Sequence, residues 1–204
     1  MPKLELNSNN IDDFLTKLVK ENKSVSLEVG FGSGENLHNL IYRANEDRCF
    51  IGCEPYLNGL ASFISKLDAK YYKKIKVFRH DVRELLASFS KEIFDEIFIL
   101  FPDPWPKLRH QKRRIINKEN IDLFLSCLKL DGKIYIATDV EDYFFSIKAL
   151  FNSLKYLKIL NKNKYNLRPE NIVSTRYEKK ALAYGKRPFY IEVKKILDKN
   201  VKVS

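Results

Sequence analysis

Cysteine, histidine and tryptophan are scarce in this chain of 204 residues, with three, three and one respectively. Cys49, Cys53 and Cys127 form no CxxC pair. An odd number of thiols without metal-ligand spacing argues against a disulfide framework or a zinc ribbon and points to reduced, buried cysteines. His38, His80 and His110 share no ligand spacing either, so no metal is expected. Long apolar runs are missing too: none approaches the roughly 20 residues of a membrane-spanning helix. The N-terminal MPKLELNSNNIDDF lacks the apolar core of a signal peptide. A soluble, cytoplasmic protein with no membrane partner is therefore expected. With no internal repeat, low-complexity tract or boundary signal, residues 1–204 read as one domain.

Negative charge is the last shortage. Lys and Arg total 37 against 26 Asp and Glu, a formal charge of +11. The positive charge clusters in Lys107–Arg114 and again in Arg176, Lys179, Lys180, Lys186 and Arg187. Clustering suits a polyanion, because neutralised phosphates release counterions. No segment reads as a basic amphipathic membrane anchor, so nucleic acid is the favoured partner.

The most informative stretch is Phe101-Pro-Asp-Pro-Trp-Pro-Lys-Leu-Arg-His-Gln-Lys-Arg-Arg114. An apolar run, Ile97–Phe101, stops at three prolines set around one Asp and one Trp, and five cations follow in eight residues. Proline cannot donate to a strand ladder, so a buried strand ends here in a stiff loop. FPDPWPKLRHQKRR resembles the signature of the bacterial tRNA (guanine-N7)-methyltransferases, which methylate a guanine in the tRNA variable loop. Leu27-Glu-Val-Gly-Phe-Gly-Ser-Gly-Glu35 and Thr175-Arg-Tyr-Glu-Lys-Lys180 match the same family in the same order.

Periodicity predicts an amphipathic helix over Ile11–Asn22, with Ile11, Phe14, Leu15, Leu18 and Val19 on one face. Strands are predicted at Val25–Val29, Cys49–Cys53, Ile75–Phe78, Phe94–Phe101 and Lys133–Thr138, the last entered by an Asp131-Gly132 turn. Helices are predicted after the glycines, around Leu57–Leu67 and Val82–Phe89, and over Asn117–Leu130 and Glu141–Leu154. Two further strands are expected near Tyr156–Leu160 and Phe189–Ile196. This alternation implies an α/β fold, an open and mostly parallel seven-stranded sheet with helices on both faces. The resemblance implies the Rossmann-like class I methyltransferase form of it, with an antiparallel edge strand near the C-terminus.

Glu28, Glu54, Asp81 and Asp103 fall at successive strand tips. The crevice of an open α/β sheet lies beyond those tips, so the four carboxylates are expected to converge on one pocket. Gly30, Gly32 and Gly34 follow GxGxG spacing, but Glu35 stands where a dinucleotide fingerprint has its third glycine. A pyrophosphate at that helix start would be repelled by Glu28 and Glu35. A phosphate-free cofactor with a cationic amino acid moiety and a sulfonium would not, and that description fits S-adenosyl-L-methionine. Glu54 is placed to accept from ribose hydroxyls. Asp81 could accept from the adenine amino group, cap the helix at Val82, or do both.

On the RNA side, guanine N7 carries a lone pair and no proton, so alignment and charge stabilisation would dominate catalysis. Asp139 is either the guanine-binding acid or a helix cap before Glu141. By resemblance Asp103 and Asp139 are the catalytic candidates, Glu28, Glu54, Asp81 and Asp103 contact the cofactor, and Lys107, Asp139, Thr175, Arg176, Tyr177 and Glu178 contact the substrate. Thr175 and Glu178 also stand at capping-box spacing. Trp105 could stack on a flipped base or simply pack. Arg109, Lys112, Arg113 and Arg114 are expected to grip phosphates, giving register rather than base choice. Three other readings compete. One is a methyltransferase acting on an amino nitrogen, since Asp103-Pro104-Trp105 distantly resembles the loops used there. A non-catalytic RNA-binding α/β domain is another, and a nicotinamide-dependent oxidoreductase the third. Whether the enzyme is a monomer or a homodimer is open at this point.

Overall fold

The structure, a computed structural model, describes residues 4–7, 10–21 and 23–197. The apolar runs assemble into one sheet: β1 (Ser24–Val29), β2 (Arg48–Cys53), β3 (Ile75–Phe78), β4 (Phe94–Leu100), β5 (Leu128–Thr138), β6 (Leu157–Ile159) and β7 (Phe189–Lys195). Its order is β3-β2-β1-β4-β5-β7-β6. The first five strands run parallel, and β7 is antiparallel to both β5 and β6. Leu27, Ile51, Ile97 and Ile136 on one face, and Phe50, Phe98 and Tyr135 on the other, are all buried. Burial on both faces is why these strands read as continuous apolar runs rather than alternating ones.

Among the described residues, seven α-helices cover the two faces: α1 (Ile11–Lys20), α2 (Glu35–Arg43), α3 (Leu57–Lys66), α4 (Val82–Ala87), α5 (Lys118–Cys127), α6 (Glu141–Ser153) and α7 (Arg176–Ala183). One core packs Ile11, Leu85, Phe124, Tyr143 and Phe151 against the sheet; the other packs Leu37, Ile41, Leu60 and Phe63. In α1, Ile11 and Leu18 are buried and Phe14 packs beside them, as its periodicity requires. Asn22 and the Leu15 and Val19 side chains lie outside the described residues.

Two local expectations are corrected. α5 stops at Cys127, and β5 begins at Leu128 instead of Lys133. Leu128 is fully buried and pairs with Phe94, so packing recruits it into the sheet. The Asp131-Gly132 turn survives as an irregularity inside the strand, where Asp131 takes φ 63° and the register shifts between Phe94 and Glu96. The basic stretch after β4 is not an open loop either, since a short 3-10 helix spans Leu108–Arg113.

The sheet order reverses between β1 and β4, so the crevice opens beyond their C-terminal ends. Chain segments following β1, β2, β3, β4 and β5 all reach that edge.

Candidate active site

The tip of β1 turns through Gly30, Gly32 and Gly34, all at positive φ. Gly34 sits at the start of α2 with φ 76°, and a Cβ there would run into the Phe63 ring. Only glycine meets both demands at once. Glu54, buried at the tip of β2, locks the turn: one carboxylate oxygen accepts from Gly32 N at 2.8 Å and the other from Tyr56 N at 2.9 Å. Each oxygen keeps a lone pair for a ligand. At the tip of β3, Asp81 caps α4 by accepting from Arg83 N at 2.8 Å and also pairs with the Arg83 side chain. The Arg83 pairing holds its carboxyl below the ordinary range, so it stays ionised. Asp81 therefore serves as a cap and remains an acceptor at the pocket edge.

These tips enclose a cleft of about 310 Å³ lined by Gly30, Glu54, His80, Asp81, Asp103 and Trp105, among others. Glu28 is the exception among the strand-tip acids. It is 3% exposed, lies outside the wall of this cleft, and accepts from Asn36 Nδ2 at 2.9 Å. Burial pushes its pKa up to about 8, so it is mostly protonated at neutral pH. Its charge therefore does not repel a pyrophosphate as expected, and that argument rests on Glu35, the first residue of α2.

After β4, Phe101 N still donates to Ala137 O at 2.8 Å, and the chain then breaks away. Phe101 and Trp105 both hold positive φ, 53° and 41°, a conformation that costs non-glycine residues of order 1–3 kcal/mol and is concentrated at functional sites. The loop is held by Arg114. It donates to Pro104 O at 2.8 Å, pairs with Asp142 at 2.8 Å, and lies over the Tyr143 ring. Arg114 is 4% exposed and cannot reach a phosphate, which corrects its assignment. Lys107, Arg109, Lys112 and Arg113 remain exposed. Trp105 lines the first cleft, with Arg113 over its ring at 5.0 Å and His110 edge-on.

A second cleft, of about 710 Å³, opens on the other side of this loop and is lined by Asp103, Asp139, Tyr177, Lys180, Tyr184 and Lys186, with Phe101, Pro102 and Pro104. Asp139 is not the cap of α6; Val140 occupies that position without a side-chain cap, and Thr138 Oγ1 accepts from Val140 N. The Asp139 carboxylate is instead paired with Lys186 Nζ at 2.8 Å.

The TRYE segment is divided by its helix. Thr175 caps α7 by accepting from Glu178 N, and Glu178 accepts from Tyr190 OH at 2.7 Å and Arg168 at 2.8 Å. Both are buried and lie outside the walls of these two clefts, held by α7 and β7. The carboxylate of Glu178 turns toward β7, not back to the cap, so no reciprocal capping box forms. Arg176 and Tyr177 are exposed, and Tyr177 lines both clefts. A Cβ on Gly32 would meet Arg176 and Tyr177 at 3.4 and 3.5 Å, so the start of α7 packs directly on the glycine turn.

Tyr184 and the Phe101-Pro102 wall escaped sequence reasoning. The signal was present: Tyr177, Lys180, Ala181 and Tyr184 have i, i+3, i+4, i+7 spacing, one face of a helix. Among the described residues no cluster could hold a metal ion, no helix is long and apolar enough to cross a membrane, and the three cysteines are buried and free.

The first cleft suits a cofactor of the kind inferred from sequence. Glu54, Asp81 and Asp103 against a single guanidinium favour hydroxyls, amines and positive charge and disfavour phosphates.

Comparison with known proteins adds five findings. A family model, Methyltransf_4 ("Putative methyltransferase"), matches residues 22–191. A tRNA (guanine-N(7)-)-methyltransferase of Wolbachia pipientis wMel is 43% identical over 66% of this chain and 60% of its own length. One of Chelativorans sp. is 33% identical over 94% of this chain and 84% of its own, whereas the match to a bifunctional methyltransferase of Rickettsia felis, 36% identical over 86% of this chain, spans only 33% of that protein. Among solved structures, the 16S rRNA methyltransferase KamB superposes with a TM-score of 0.67 at 13% identity, covering 91% of this chain and 94% of its own, which establishes the fold.

Proposed function

The chain belongs to the tRNA (guanine-N7)-methyltransferase family, and from that premise we propose that it transfers a methyl group from S-adenosyl-L-methionine to N7 of a guanine in tRNA, in the cytoplasm, with the variable-loop guanine as acceptor. The observation that carries this reading is the position of Asp103. It lies on the wall common to the acid-lined cleft and the larger, basic-rimmed one, together with Phe101, Pro102 and Tyr177.

The cofactor, when bound, supplies a methyl group already activated by a sulfonium. What remains for the protein is placement. Glu54 and Asp81 hold the donor groups of a ligand in the first cleft. Asp139, and Asp103 across from it, accept from the N1–H and N2–H₂ edge of guanine in the second. N7 has no proton to remove, so a carboxylate at the shared wall acts by alignment and by stabilising the positive charge that moves onto the purine. Lys107, Arg109, Lys112 and Arg113, exposed on the segment that follows the proline loop, bind phosphate without choosing the base.

The test is incubation with methyl-labelled S-adenosyl-L-methionine and unmodified bulk tRNA, followed by nucleoside analysis. Label recovered as N7-methylguanine is expected. Label only on exocyclic amines, or only on protein, overturns the reading.

A further inference from the structure

α7 ends in a way that determines what stands at the mouth of the acceptor cleft. Gly185 takes φ 70° just past the helix, Gly185 N donates to Leu182 O at 2.9 Å, and Lys186 N donates to Ala181 O at 3.0 Å. This pair of bonds is a Schellman motif, and it turns the chain sharply back. The turn leaves Tyr184 at the C-cap of α7, facing the cleft, while Lys186 returns to Asp139.

The two tyrosines of this face have different commitments. Tyr177 is built into the wall between the clefts: its ring lies under the Arg176 guanidinium at 5.0 Å, its hydroxyl accepts from Arg176, and it abuts Gly32. Tyr184 is 73% exposed, and its side chain makes no hydrogen bond or ring contact among the described residues. An aromatic ring held against solvent by a helix terminus, with no packing role, is available to a ligand. Across the cleft stand Pro102 and Pro104, flat, rigid and apolar, with carboxylates at Asp103 and Asp139. A planar heterocycle with donors along one edge matches that arrangement: its face meets a ring and its edge meets acids.

Resting on the function proposed above, we infer that Tyr184 is a positioning residue for the acceptor base, the surface on which the guanine ring stacks while Asp139 reads its donor edge. Lys186 and Lys180 lie beside the slot, and Lys186 must release Asp139 when guanine takes its place.

The experiment compares wild type, Tyr184→Ala and Tyr184→Phe in tRNA methylation assays with saturating S-adenosyl-L-methionine, alongside cofactor affinity and thermal denaturation. Loss of one base–aromatic stack predicts that Tyr184→Ala lowers kcat/KM for tRNA by roughly 5- to 150-fold, mostly through KM. Tyr184→Phe should stay within about twofold of wild type, because stacking needs the ring and not the hydroxyl. Cofactor affinity and melting temperature should not move in either variant. Wild-type kinetics in Tyr184→Ala overturn the inference. So does a Tyr184→Phe variant as defective as Tyr184→Ala, or a loss of cofactor affinity or stability that parallels the loss of rate. A wild-type protein that leaves guanine N7 unmethylated would instead sink the parent reading, which separates the two failures.

Discussion

The two clefts meet at one wall yet are built by different means. The smaller is made of strand tips: short segments leave β1, β2 and β3, and the residues that matter lie within a few positions of each strand end. The larger is made by α7, Lys186 and the residue after β5, with Phe101–Pro104 added from the loop after β4. In the first, acids predominate, and their backbone partners hold them in place whether or not a ligand is present. In the second, Asp139 and Lys186 neutralise one another across the space a substrate would enter. The cleft proposed for the cofactor is thus preformed by backbone hydrogen bonds, whereas the one proposed for the acceptor base is spanned by an ion pair that is itself exchangeable. Partly exposed pairs of this kind contribute roughly 0–1 kcal/mol, little enough for a substrate to displace.

The sharpest way to break that contrast is to remove the shared residue and one that is not shared. Asp103→Ala should lower kcat/KM by roughly 100- to 1,000-fold, the loss typical of a single charge-stabilising group, and weaken cofactor binding as well. Asp139→Ala should cost turnover while equilibrium dialysis finds cofactor affinity unchanged. Equal cofactor affinity in both variants would mean that Asp103 does not serve the two clefts together.

The basic run sharpens the comparison further. Replacing Lys112 and Arg113 by Gln should reduce the salt dependence of tRNA binding by roughly 1.5 to 2 slope units and leave stability unaltered. Arg114→Gln should do the reverse. It removes the donor to Pro104 O and the partner of Asp142, so a stability loss of about 1–3 kcal/mol with an unchanged slope is expected. A change of salt slope in Arg114→Gln would return that residue to the RNA surface.

A pH-dependent effect concerns Glu28, behind the glycine turn. The folded protein keeps a proton on this carboxyl that the unfolded chain gives up near pH 4.5, because burial raises the folded value to about 8. Its contribution is therefore fully present in acid and is lost as pH rises toward and through about 8. Glu28→Gln should flatten the melting temperature over that interval, with little change at low pH; a wild-type slope in the variant would show that Glu28 titrates normally.

Legibility in the sequence followed the range of the physics involved. Gly34 was readable because a tight turn into a helix needs it locally. Asp81 was readable as a cap because Arg83 N lies two residues on, and Glu54 because its strand tip is only a short way from the glycines. Arg114 was not: it sits in a run of cations that look alike, and only its docking between the proline loop and α6 distinguishes it from Arg113. Thr175 and Glu178 belong to a conspicuous motif, but its four residues span nearly a full helical turn, so Arg176 and Tyr177 face away from them.

By itself the sequence determined the strand–helix alternation, the glycine turn, the stiff proline loop and the acids at the strand ends, since each follows from backbone sterics and apolar periodicity within a dozen residues. Only the tertiary structure decided which side of α7 meets the cleft, which arginine is buried, which strand-tip acid is hidden, and that Asp139 finds Lys186. Those outcomes depend on how the antiparallel β7 edge and α7 pack against a glycine turn distant in the chain. Side-chain direction there is set by close packing between remote segments, for which no local pattern carries the information.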